Sequence, residues 1–165
     1  MMLYIGIDNG VSGALGIIGM GDQLLEPMPI RSELNYQKAG KNITRLDYQT
    51  FKIRMAGLQE GASGQIRAII EKPFVNPGNF VATSTSLRCL EAQLVCLEEL
   101  GISRQYIDAK TWQKELLPAV KGRTELKKAS LDIGMRMFPG LIPQIKKQKD
   151  ADALFIAHFA QQHNL

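Results

Sequence analysis

Short apolar runs separated by amphipathic stretches predict an α/β protein. Leu3–Asp8 and Ile66–Glu71 are apolar almost throughout, and each ends at a carboxylate. Such runs are typical of strands buried on both faces of a sheet. Glycine-containing turns after the first run predict two more strands, over 14–18 and 23–28, as a hairpin meander. A further short strand is predicted over 105–107.

Helical periodicity accounts for much of the remaining chain. Helices are predicted over 45–60, 84–100, 109–117 and 124–137, and a closing helix begins at Asp150. The polar segment 31–43 is expected to be irregular. Three strands, a helix, a strand, a helix, a strand and then helices predict a mixed sheet with helices on both faces. We expect residues 1–165 to form one domain.

Composition narrows the class of protein. The 165 residues are 45% hydrophobic and 22% charged, which is ordinary globular usage and argues against disorder. The sequence shows neither a membrane-length apolar run nor a secretion signal. Cys89 and Cys96 lie on one predicted helix about 10 Å apart, too far for a disulfide. We therefore expect a cytoplasmic protein with buried, reduced cysteines.

The net charge of +4 is unevenly distributed. Residues 110–149 carry ten basic and three acidic residues, net +7, whereas the rest of the chain carries −3. A surface that binds a polyanion requires such a concentration of positive charge. A solvated basic face explains the same pattern equally well.

Four carboxylates are candidates for one metal site. Asp8 and Glu71 end neighbouring predicted strands, whose carboxyl ends meet at one edge of a parallel sheet, and Asp150 and Asp152 lie where the last helix begins. Converging carboxylates repel each other unless a cation holds them, and hard oxygen ligands select Mg²⁺ or Mn²⁺. Two ions would suit phosphodiester hydrolysis. Taken singly, each acid could instead be a turn or capping residue.

Several of these motifs together resemble the RuvC family of Holliday junction resolvases, over almost the whole chain. The motifs are Ile5-Gly6-Ile7-Asp8-Asn9-Gly10, Gly16 in the second strand, Ile70-Glu71 followed by Phe74, and Asp152-Ala153-Leu154. The resemblance implies a ribonuclease H-like fold and a homodimer with two active sites. It also implies Mg²⁺-dependent paired nicking of opposed strands at a four-way DNA junction.

The resemblance also implies residue roles. Asp8, Glu71 and Asp152 match metal-binding carboxylates, and Phe74 matches an aromatic residue that stacks on a base at the opened crossover, although a loop aromatic could instead cap the core. Lysines that approach the scissile phosphate match one residue of each pair Lys110/Lys114 and Lys127/Lys128, with Lys127 the catalytic candidate. The basic stretch adds Lys121 and Arg123 as DNA-binding candidates.

One position departs from the family pattern. The family has an acid or a histidine three residues before the last aspartate, where this chain has Lys149, while Asp150 lies two before. Residues i and i+2 of a helix point about 200° apart. We therefore expect Asp150 to be the N-cap of the last helix, turned toward the metal, or else a cap alone. His158 is expected to be a packing residue.

Parts of the pattern also occur in proteins with other functions. Sugar kinases and actin-like ATPases share the opening strand and turn but need a second lobe, which this length cannot hold. The prediction is a Mg²⁺-dependent, structure-selective DNA endonuclease, most consistent with a Holliday junction resolvase, with Mn²⁺ as a substitute. Alternatives are a flap or branched-DNA endonuclease, a ribonuclease H, or a module that binds branched DNA without cutting it. The apolar stripe of the 84–100 helix could serve a dimer interface or the core.

Overall fold

The computed structural model describes residues 2–36, 38–119 and 122–165. Within these residues the strands are β1 (Leu3–Asp8), β2 (Ala14–Gly19), β3 (Asp22–Pro27), β4 (Ile30–Leu34), β5 (Asn42–Leu46), β6 (Ile66–Glu71) and β7 (Ser103–Ile107). The helices are α1 (Tyr48–Gly61), α2 (Phe80–Glu99), α3 (Ala109–Leu116), α4 (Arg123–Met137), α5 (Ile142–Gln148) and α6 (Asp152–His163). A 3-10 turn over Pro139–Leu141 joins α4 to α5.

The main sheet has the strand order β3-β2-β1-β6-β7. β1, β2 and β3 pair antiparallel as a meander, and β1, β6 and β7 pair parallel. The predicted mixed sheet is confirmed. Because β1 and β6 are parallel neighbours, Asp8 and Glu71 end at the same edge of the sheet.

Helices cover both faces of this sheet, as predicted. On one face, α1 and α2 pack through Phe51, Met55 and Leu97 against Ile5 and other β1 side chains. On the other face, α6 packs against β1 and β2, surrounded by α3, α4 and α5. The sheet therefore separates two apolar cores, and α6 is the helix closest to its centre.

Two glycines allow α6 to lie directly on the sheet. Gly6 of β1 and Gly16 of β2 are partners across the strand pair. A Cβ atom at Gly6 would overlap the carbonyl oxygen of Ala153 and approach the amide nitrogen of Ala157 to 2.5 Å, and one at Gly16 would overlap the backbone of Ala153. The first turn of α6 is thereby held against the strands, which fixes the position of Asp152 beside the end of β1.

The structure differs from the sequence expectation at residues 31–43. The chain on either side of its middle forms β4 and β5, which pair antiparallel as a separate sheet. Its strands are mostly exposed and lack the alternation that identifies a strand. The Glu33 carboxylate bridges them by accepting from Arg45 at 2.6 Å, while also pairing with Arg31 of its own strand. Leu46, at the end of β5, is buried in one of the apolar cores and so attaches the hairpin to the rest of the protein.

Some helix boundaries also differ. α1 begins at Tyr48 because the side chain of Asp47 caps it, accepting from the amide of Thr50 at 3.2 Å. α2 begins four residues before the predicted Ser84, with Asn79 as its N-cap. α5, which the sequence did not predict, ends at Lys149 in a left-handed conformation (φ 73°).

As predicted, Cys89 and Cys96 lie on one helix, α2, and both are free and buried. Burial raises the pKa of each thiol to about 11, so both are inert, protonated core residues. In the described ranges we find no helix with the length and apolar character needed to cross a bilayer.

Candidate active site

The carboxyl ends of β1 and β6 open into a cavity of about 950 Å³. All four predicted carboxylates, Asp8, Glu71, Asp150 and Asp152, line it. They come from two strands and from the start of α6, so the fold brings together acids that are up to 144 positions apart in the sequence.

Asp8 is a buried acid at the end of β1. Burial raises its pKa well above the ordinary value of 3.8, and the charges of Asp152, Glu71 and Asp150 raise it further. Lys127 acts in the opposite direction. The turn after Asp8 is tight, because a Cβ atom at Gly13 would overlap the Asp8 carbonyl.

Glu71 is held by a buried tryptophan. The Nε1–H of Trp112 donates to Oε2 of Glu71 at 2.8 Å. Trp112 is fully buried on α3 and stacks on Phe155 of α6, with ring centroids 5.9 Å apart. Burial raises the pKa of Glu71, and the tryptophan hydrogen bond lowers it in part. Trp112 therefore fixes one oxygen of this carboxylate and couples its position to α6.

Asp152 is held by a buried serine. The hydroxyl of Ser130, on α4, donates to Oδ1 of Asp152 at 2.5 Å and accepts from the amide of Ala151 at 3.0 Å. Ser130 is 1% exposed. Burial, followed by the charge of Asp150, raises the pKa of Asp152 to about 7.

Asp150 lies just before α6 rather than at its cap. The N-cap position is Ala151, so the predicted capping role of Asp150 is wrong by one residue. The Asp150 side chain still accepts weakly from the amide of Asp152, at 3.4 Å. Because Asp150 is outside the helix, it can face the cavity together with Asp152, which two helical positions could not do.

A lysine partly balances the acids. Nζ of Lys127, on α4, lies 3.8 Å from Oδ2 of Asp150, and the lysine side chain is about half exposed. Burial raises the pKa of Asp150, while Lys127 lowers it. Four carboxylates line the cavity against three basic side chains, Lys72, Arg123 and Lys127, so its formal charge is negative by one.

The donor set suits a hard divalent cation, although its side chains would have to turn to bind one. In residues 2–36, 38–119 and 122–165, no group of three or more acidic, histidine or cysteine side chains is already gathered around a point where a metal ion could sit. Glu71 is turned toward Trp112, and Asp152 toward Ser130. Buried carboxylates with raised pKa values nevertheless form the oxygen-rich, electronegative site that Mg²⁺ and Mn²⁺ prefer.

The rim of the cavity contains an aromatic residue and basic groups. Phe74 lines it and is 83% exposed, so it does not cap the core. Arg123 and Lys127 also line it, on the first turns of α4. The other basic candidates behave differently: Lys110, Lys114 and Lys128 are exposed but do not line the cavity, and Lys121 lies outside the described residues.

Two residues that hydrogen-bond to the carboxylates were not predicted from the sequence. Ser130 and Trp112 carry no motif, and their partners are 22 and 41 residues away in the chain. In the sequence, each shows only a polar group on the apolar side of a predicted helix. That pattern is too common to indicate a role. His158, expected to be a packing residue, is partly buried with its ring edge-on to Phe138 at 6.0 Å.

Comparison with solved structures identifies the fold. RuvC of Thermus thermophilus in complex with a Holliday junction substrate aligns with a TM-score of 0.57 and 15% identity, covering 99% of this chain and 96% of that chain. A second structure of Thermus thermophilus RuvC aligns with a TM-score of 0.52 and 19% identity, covering 99% and 97%. No protein-family model matches the sequence, and no curated protein matches it significantly.

The fold is therefore of the ribonuclease H-like α/β class, as the resemblance to the RuvC family implies. Within that class it is the fold of RuvC, aligned over nearly the full length of both chains.

Proposed function

We propose that this chain is a divalent-metal-dependent endonuclease that cuts branched DNA, with the four-way junction as its main substrate. The observation that carries the proposal is the cavity at the edge of the sheet. It gathers four carboxylates from three separate parts of the fold and places an exposed aromatic ring and two basic side chains at its rim. A packing role does not require that many buried, mutually repelling acids in one place.

The four carboxylates would hold Mg²⁺, or Mn²⁺ in its place, in one or two sites. Bound ions of this kind attract the phosphodiester and make water a competent nucleophile. Ser130 holds one oxygen of Asp152 and Trp112 holds one oxygen of Glu71, so the other oxygen of each carboxylate is the one that would turn toward a bound ion. Hydrogen bonds to ligating carboxylates restrict their orientation.

The rim residues would hold the DNA. Phe74 can stack on an unpaired base, which stabilises single-stranded contacts by about 1–3 kcal/mol. Lys127 and Arg123 can contact phosphates on the same side of the cavity. An exposed aromatic next to the carboxylates favours a substrate with an opened strand over a closed duplex.

A four-way junction is symmetric, so paired nicks need two active sites related by a two-fold axis. We therefore infer that the protein acts as a homodimer. Cleavage of a supercoiled plasmid with an extruded cruciform tests this inference. A dimer that cuts both strands in one encounter yields linear plasmid early, whereas independent cuts yield nicked circles first.

A nicking assay tests the function directly. We expect cleavage of a labelled four-way junction, and little of plain duplex, only when Mg²⁺ or Mn²⁺ is present. Asp152→Asn and Asp150→Asn should each abolish cleavage while retaining junction binding. Asp22→Asn, at the exposed start of β3, is the matched control and should cut normally.

The alternatives give different outcomes in the same assay. Preference for a flap or for an RNA–DNA hybrid would replace the junction assignment with a flap endonuclease or a ribonuclease H. Binding without cutting of any substrate would indicate a non-catalytic module. Full activity of Asp150→Asn would remove that residue from the ligand set.

A further inference from the structure

The β4–β5 hairpin forms a groove beside the carboxylate cavity. The groove has a volume of about 530 Å³ and lies between the hairpin and α2. Val11 and Thr85 line both the groove and the cavity, so the two are continuous. An extended ligand that leaves the cavity on this side would pass directly under the hairpin.

The tip of the hairpin is anchored next to that passage. The hydroxyl of Tyr36 accepts from Nη1 of Arg88 at 3.1 Å, and Nη2 of the same arginine donates to Oγ1 of Thr85 at 3.1 Å. The tip is also closed on itself, since the amide of Asn35 donates to the carbonyl of Lys41 at 2.8 Å. Tyr36 and Arg88 line the groove, and Thr85 lines both the groove and the cavity, so the end of β4 is anchored where the two meet.

The tip carries the charge that a nucleic acid would meet. Residues 30–46 contain four basic residues and one acidic residue, net +3. The other residues that lie outside the basic stretch 110–149 are together acidic. Arg31 and Arg45 both pair with Glu33. Lys38 and Lys41 are exposed, and neither has an ion-pair partner in the described part of the chain.

The residues that line the groove do not add to the positive charge of the tip. They include Glu33 and Glu91 against Arg45 and Arg88, so their charges balance. An acidic partner would be held by the tip alone. Tyr36, which is 74% exposed next to the two lysines, adds an aromatic surface. Cations beside an exposed aromatic ring fit a nucleic-acid strand better than an acidic peptide, because bases stack while phosphates pair.

We propose that the β4–β5 hairpin is a second DNA-binding element, in which Lys38 and Lys41 hold the phosphate backbone of the strand leaving the cavity past Val11 and Thr85. This inference rests on the proposed nuclease function. The hairpin would contact the DNA on one side of the cavity, and Arg123 and Lys127 on α4 would contact it on the other. The DNA is then held on both sides of the carboxylates.

The test is the double variant Lys38→Ala/Lys41→Ala, measured by binding to a four-way junction in EDTA over a range of salt concentrations. We expect affinity to fall on the order of tenfold or more at 0.1 M salt, and the slope of log K against log salt to decrease by up to about 2. With Mg²⁺, KM should rise while kcat stays close to that of the wild type.

The matched control is Lys52→Ala/Arg104→Ala. It removes the same charge, but these residues pair with Glu99 and Glu98 at the far end of α2, about 20 Å along the helix from Thr85. Its affinity and salt slope should stay near the wild-type values. Thermal unfolding of both variants checks that they fold.

Equal effects of the two double variants on affinity and slope would overturn the proposal. A change from dimer to monomer in the hairpin variant would also overturn it, since the hairpin would then be a subunit contact. Failure of the wild-type chain to bind any branched DNA would instead refute the proposed function itself. The two failures are therefore distinguishable.

Discussion

Asp152→Asn should make the metal-free protein more stable at alkaline pH. Burial and the neighbouring charge of Asp150 raise the pKa of Asp152 from 3.8 to about 7. Each pKa unit corresponds to about 1.4 kcal/mol, so ionised Asp152 costs the folded state on the order of 4 kcal/mol. Asparagine removes that charge and keeps an oxygen that can accept from Ser130.

The pH window follows from the direction of the shift. An acid whose pKa is raised by folding binds its proton more tightly in the folded state than in the unfolded state. The penalty is therefore absent below about pH 3.8, grows as the pH rises and is complete above about pH 7. The variant should gain its advantage across this interval and have none at pH 4.

Thermal unfolding in EDTA between pH 4 and pH 8 measures the effect. For a chain of this size, 1 kcal/mol shifts Tm by about 2–4 °C, so we expect a rise of about 10 °C at pH 8. Asp22→Asn, at the exposed start of β3, should leave Tm unchanged. A Tm at pH 8 equal to or below that of the wild type would refute the reasoning.

Adding Mg²⁺ extends the same experiment. A cation that binds only the folded wild type stabilises it by about 2.7 kcal/mol at a concentration of 100 times Kd. The gap between wild type and variant should then narrow by several degrees. An unchanged gap at 10 mM Mg²⁺ and at 10 mM Mn²⁺ would argue against Asp152 as a ligand.

Three further predictions concern positioning, packing and DNA contact. Ser130→Ala should lower kcat with little change in KM and weaken Mg²⁺-induced stabilisation, with partial rescue in Ser130→Thr; junction cleavage and Tm titrations measure this. Gly16→Ala should cost about 3 kcal/mol or more in urea unfolding, because its Cβ would overlap Ala153, whereas Gly57→Ala, in open space within α1, should stabilise by about 0.5–1 kcal/mol. Phe74→Ala should weaken junction binding by about 1–3 kcal/mol without affecting plain duplex, as measured by fluorescence anisotropy.

The sequence predicts those parts of the fold that depend on local pattern. β1 and β6 are apolar runs that end at carboxylates, and their parallel pairing makes the meeting of Asp8 and Glu71 foreseeable. Asp152 lines the same cavity, and this position is also foreseeable, because a helix docked across this edge brings its first turn to the same point. Both inferences use only the residues within one element and the known geometry of sheets.

The hairpin and the positioning contacts could not be predicted in this way. β4 and β5 are mostly exposed, so their sequences lack the alternation of apolar and polar residues that predicts a strand. Ser130 and Trp112 act through residues on other elements. Their roles exist only once α3, α4 and α6 have packed against the sheet, so tertiary structure is needed to see them.

Gly6 and Gly16 connect the stability of the fold to the charge of the site. Without side chains at this strand pair, α6 lies against the sheet, and Asp152 is brought into the field of Asp8. Close approach excludes water, which strengthens the repulsion between the acids and equally their attraction for a cation. A larger residue at Gly16 that still permitted folding would move α6 outward and lessen the repulsion. It should therefore lower the pKa of Asp8 and weaken Mg²⁺ binding together, an association that pH and Mg²⁺ titrations of a partly stable Gly16 variant would reveal.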